Sequence, residues 1–88
     1  MENYKLASKE RQKIIFAFLK KRMKEKKITQ NALAEIIDVS VTTLIRYFKM
    51  ETQMPLGVYL EICGALKLRP YLIPSENDNN EMMRMHFN

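Results

Sequence analysis

The chain has 88 residues, 47% hydrophobic and 28% charged, with a formal net charge of +5 at neutral pH and a single cysteine, Cys63. That length admits one domain, one cysteine excludes an intramolecular disulfide framework and points to a reducing, cytosolic setting, and no apolar run approaches the roughly 18 residues that span a bilayer. Residues 1–27 hold ten Lys/Arg against three Glu, while residues 28–88 hold five Lys/Arg against seven Asp/Glu, the distribution of a chain that meets a polyanion from one side.

Residues 1–7 show no helical period and read as a flexible arm. Ser8 is placed to cap a first helix, with Glu10 in its first turn. From Lys9 to Lys26 apolar residues recur at Ile14, Ile15, Phe18, Leu19 and Met23, a helical stripe with Lys and Arg on the remaining faces. Thr29 caps a second helix, Gln30 to Ile37, predicted to bury Leu33, Ile36 and Ile37, with Ala34 where another helix must come close. Ser40 caps a third helix running to Lys49. Pro55 stands near the first turn of a fourth, Leu56 to Leu66, with Leu56, Tyr59, Leu60, Cys63 and Leu66 inward. The segment Leu68 to Ile73 is bounded by proline and rich in strand formers, and reads as extended. Met82 to Phe87 is open to three readings: a second short extended piece, part of a disordered tail, or part of a fifth helix from Asn79. The expected organisation is an arm over 1–7, an all-α domain of four to five helices over 8–68, and a C-terminal extension over 69–88 for dimerisation or a partner.

The segment Thr29 to Phe48 carries the function. Two short helices joined by a tight turn, the second exposing one face, can place a helix in the major groove of DNA. Ala34 lets the helices cross closely, and Asp38 is tolerable in a left-handed turn where glycine would be easier. The second helix of the pair is predicted to bury Leu44, Tyr47 and Phe48, leaving Val41, Thr42, Ile45, Arg46 and Lys49 outward. The basic run from Lys20 to Lys27 is placed to flank that face and meet phosphates.

At Thr29-Gln30, Leu33-Ala34, Val39-Ser40, Thr43-Leu44 and Arg46, continuing into Leu60, Ile62, Ala65, Leu66 and Leu68, the chain resembles the lambda repressor, Cro and xenobiotic-response-element-like helix-turn-helix family. The resemblance covers roughly Leu19 to Leu68. It departs from the family at Asp38, Met50 and Lys27, where glycine is usual or frequent. It implies a lambda-repressor-like bundle and a repressor-type transcriptional regulator, bacterial or phage-encoded, that binds double-stranded operator DNA as a homodimer. In that family's manner Gln30 meets a phosphate, aided by its helix N-terminus. Ser40, Val41 and Thr42 lie where the recognition helix enters the groove, Thr43 belongs with them among the DNA-binding residues, Arg46 reaches a guanine edge or a phosphate, and Lys49 stands at the end of the same helix. The apolar chemistry of Val41 and Ile45 suits thymine methyls.

Two rivals accompany this reading. An antitoxin that represses its own operon would use Met82, Met83 and Met85 against a toxin protein, and a protein–protein adaptor would keep the fold without binding DNA. No enzyme is expected: Cys63 falls on a core face, His86 has no nucleophile near it in sequence, and the only glycines, Gly57 and Gly64, form no phosphate loop. No cofactor or metal is expected from these spacings.

Overall fold

The computed structural model describes residues 3–74. They form four α-helices: α1, Tyr4–Lys26; α2, Gln30–Ile36; α3, Val41–Phe48; and α4, Leu56–Ala65.

Helix α1 starts earlier than its apolar period suggests. Asn3 is the cap, its side-chain oxygen accepting the Leu6 N–H at 3.0 Å, so Tyr4–Ala7 are helical and not an arm. Ser8 lies inside the helix, where its hydroxyl oxygen accepts from Gln12 Nε2 at 3.1 Å. An Asn cap followed by tolerable helix formers is sufficient to start a helix whatever the apolar pattern. The buried face also differs. Phe16, Leu19 and Met23 are buried, while Ile14 and Phe18 are 68% and 55% exposed. α1 therefore has apolar residues on two faces, and Phe16 decides which turns inward by meeting Phe48 of α3 edge to face, ring centroids 5.7 Å apart.

Thr29 and Ser40 cap α2 and α3 as their chemistry predicts. Thr29 Oγ1 accepts the Ala32 N–H at 3.1 Å and Ser40 Oγ accepts the Thr43 N–H at 3.0 Å. Leu33, Ala34 and Ile37 are buried, but Ile36 is exposed, against expectation. In α3 Leu44 and Phe48 are buried and Tyr47 is half-buried. In α4 Ile62 and Cys63 are buried, with Leu66 just beyond the helix. Leu56 and Leu60, expected inward, are 71% and 47% exposed because this helix too is apolar on several faces. The five most deeply buried large side chains, Leu19, Leu33, Leu44, Ile62 and Leu66, draw on all four helical segments, so the core forms only when every helix docks.

All four helices end the same way. Lys27, Asp38, Met50 and Lys67 have φ of 57°, 59°, 63° and 60°, the left-handed region. Each donates its N–H three residues back, and the following residue donates five back: Lys27 to Lys24 with Ile28 to Met23, Asp38 to Glu35 with Val39 to Ala34. Met50 to Tyr47 with Glu51 to Arg46, and Lys67 to Gly64 with Leu68 to Cys63, complete the set. These are Schellman motifs, which satisfy otherwise orphaned carbonyls. Ile28, Val39 and Leu68, just past three of them, pack against the core, the hydrophobic contact that accompanies this motif.

Past α4 the described residues form no strand. Leu68–Ile73 has no second segment to pair with among them, and Tyr71 and Leu72 are exposed. The readings offered for Met82–Phe87, a helix from Asn79 and His86 lie outside the described residues.

Candidate nucleic-acid interface

Helices α2 and α3 pack on each other, and Leu33, Ala34 and Leu44 are buried in the core they share. The turn between them closes on Asp38, whose left-handed φ needs no glycine because a short polar side chain tolerates that region better than most. With Leu44 and Phe48 committed to the core, α3 turns its opposite face to solvent: Thr42, Arg46 and Lys49 are exposed and, four and three residues apart, share one side. Among the described residues the ion pairs are Lys13–Glu10 at 3.8 Å and Arg22–Glu25 at 3.5 Å. Arg46 takes part in neither, so neither Glu35 nor Glu51 ties down its guanidinium.

The other sequence-predicted site residues divide by environment. Gln30 opens α2 and is half-buried. Ser40 is exposed but occupied: besides capping Thr43 it donates its hydroxyl to Thr43 Oγ1 at 2.8 Å. Thr43 is half-buried and accepts that bond, leaving its own hydroxyl hydrogen to donate elsewhere. Val41 and Ile45 are both half-buried. Val41 packs against the core, which leaves Ile45 the more available apolar contact.

The basic run of α1 does not act as one surface. Lys20 sits beside α3, its ammonium 5.6 Å from the centre of the Phe48 ring, a cation–π contact. Lys21, about 100° further round, turns to the side opposite the buried face of α1. Arg22 is taken by structure: its Nε donates to the Leu66 carbonyl at 2.9 Å and its Nη2 to the Lys67 carbonyl at 3.5 Å. It ties α1 to the end of α4 by capping carbonyls that the helix leaves unpaired. Nothing in its sequence context separated Arg22 from its lysine neighbours, because the carbonyls it meets are 44 and 45 residues away.

Cys63 is a buried free thiol, as expected. Burial pushes the neighbouring Tyr59 phenol above its usual value, and its interaction with Cys63 adds to the shift. Among the described residues no group of three His, Cys, Asp or Glu is placed to hold a metal ion, and no helix is long and apolar enough to cross a membrane.

The family model for the Cro/C1-type HTH DNA-binding domain matches residues 19–71, more than half of the chain. No curated protein and no solved structure matches.

Proposed function

The chain belongs to the Cro/C1-type HTH DNA-binding domain family, and from that premise we propose that it is a repressor-type transcriptional regulator that reads operator DNA with α3 in the major groove. The exposed face of α3 carries this reading: Arg46 stands on it with no ion-pair partner among the described residues, between Thr42 and Lys49. A guanidinium so placed can bond a guanine edge with two donors, worth about 1–3 kcal/mol of discrimination. Thr42 and Ile45 supply a hydroxyl and a methyl surface beside it, and Gln30 and Lys20 hold neighbouring phosphates.

The protein acts as a homodimer. One recognition helix contacts too few base pairs to specify a site alone, and two-fold pairing doubles the readout. Leu56 and Leu60 on α4, with Tyr71 and Leu72 beyond it, leave apolar side chains in solvent that a second copy would cover.

The test is a salt titration of binding to the DNA immediately upstream of the protein's own gene, against a scrambled duplex of equal length. Preference for the upstream DNA that persists as salt rises is the expected result. Equal, salt-sensitive binding to both refutes sequence-specific regulation at that site, and no binding at low salt refutes DNA binding altogether.

A further inference from the structure

A cleft of about 490 Å³ lies where the first three turns of α1 pass the loop that leaves α3. On the α1 side it is lined by Lys5, Ser8, Lys9 and Gln12, and on the loop side by Thr52 and Gln53. Tyr4 and Met50 are the remaining lining residues, so the wall contains two ammonium groups, hydroxyls and amides and no carboxylate. Among the described residues neither Lys5 nor Lys9 forms an ion pair. Gln12 donates to the Ser8 hydroxyl oxygen at 3.1 Å, which leaves the Ser8 hydrogen to donate to something else. A concave surface of this make-up favours an oxyanion.

Its position says which one. Met50 lines the cleft two residues past the end of α3, and Lys49 on the reading face precedes it directly. At about 100° per residue, Lys9, Lys13 and Lys20 fall within about 40° of one another round α1. Lys20 is seated on the Phe48 ring, so that side of α1 is the side of α3. The major groove is about 12 Å wide and walled by phosphate strands. A loop leaving a helix seated in that groove, and whatever packs on the loop, meets one of those walls.

We propose that this cleft binds a phosphate of the DNA backbone at the flank of the operator, with Lys5 and Lys9 as its cationic contacts. The inference rests on the DNA-binding reading above. It assigns a role in affinity to the N-terminal half of α1 that lies outside the matched residues 19–71. Its contribution is independent of base sequence, because it touches only the backbone.

The experiment compares the unaltered protein with a Lys5→Gln/Lys9→Gln variant on the upstream and scrambled duplexes from about 50 to 200 mM salt, where phosphate neutralisation dominates the slope. The expected result is a slope of log Kobs against log salt shallower by about 0.9 for each phosphate no longer neutralised, with the upstream-to-scrambled ratio unchanged. Lys5→Arg/Lys9→Arg keeps the original slope. Arg11→Gln/Lys21→Gln removes the same charge from the opposite side of α1 and leaves the slope unchanged too. Both lysines of the cleft are exposed and glutamine is a good helix former, so the variants keep the fold. An unchanged slope in the Lys5→Gln/Lys9→Gln variant, while the unaltered protein binds DNA, overturns the cleft and leaves the regulator standing. An equal loss in the Arg11→Gln/Lys21→Gln control overturns it as well, since net charge then explains the effect. Failure of the unaltered protein to bind any duplex overturns both.

Discussion

Glycine is absent from every position where the described backbone of this protein is left-handed, and both glycines, Gly57 and Gly64, sit inside α4 with ordinary φ. One pair of residue types should therefore change stability in opposite directions at the two kinds of site. A β-carbon in the left-handed region costs roughly 1–2 kcal/mol, and glycine gives back about 0.5–1 kcal/mol through its freer unfolded chain. Lys27→Gly and Lys67→Gly, at exposed positions, should each stabilise the fold by about 0.5–1 kcal/mol relative to Lys27→Ala and Lys67→Ala. In α4 the sign reverses: a β-carbon at Gly57 or Gly64 meets nothing within 4 Å, so Gly57→Ala and Gly64→Ala should each stabilise by about 0.8–1 kcal/mol. Met50→Gly is the exception, because Met50 packs against the core and its side chain goes with the strain. The assay is thermal or urea unfolding followed by helical circular dichroism, where 1 kcal/mol corresponds to about 4–8 °C in a domain of this size. Alanine proving as stable as glycine at both Lys27 and Lys67 would refute the reasoning, and with it the placement of these residues at Schellman turns.

Arg46→Ala should weaken binding to the preferred duplex by about 1–3 kcal/mol, roughly 5- to 150-fold, and lower the upstream-to-scrambled ratio in a titration; an unchanged ratio would mean that α3 is rotated from the register described. Arg22→Ala should cost about 1–2 kcal/mol of stability by unfolding, since it deletes charge-assisted bonds to the end of α4 from a part-buried site, yet leave the salt slope of DNA binding untouched. Lys20→Gln should flatten that slope more than Lys21→Gln, because only Lys20 lies beside α3. For Tyr59 the raised phenol value means the neutral form is preferred in the folded state. Its contribution is complete below the ordinary value of 10.0 and is lost as pH rises through the higher folded value. Alkaline unfolding followed by helical circular dichroism should shift to higher pH in Tyr59→Phe, and no shift would show that another group controls the transition.

The sequence alone determined the local punctuation of this protein. Thr29 and Ser40 cap α2 and α3 because a hydroxyl beside orphaned N–H groups has few better partners, and that needs no tertiary context. Asp38 was legible as a left-handed turn, and Lys27 and Met50, where glycine is usual or frequent in the family the chain resembles, share that conformation. The exposed face of α3 followed in part from the same economy: Leu44 and Phe48 are inside and Thr42, Arg46 and Lys49 lie opposite them in solvent, while Val41 and Ile45, expected outward as well, are half-buried. Only the tertiary structure decided which faces of α1 and α4 are buried, that Arg22 caps α4 and that Lys5 and Lys9 line a cleft with the loop after α3. For the buried faces the physical reason is an ambiguity of period. A run of apolar residues states that a helix has an inner side, but when two sides qualify, as with Phe16–Leu19–Met23 and Ile14–Phe18, the choice belongs to the surface it docks against. A cation's partner many residues away is likewise visible only once the chain has closed on itself.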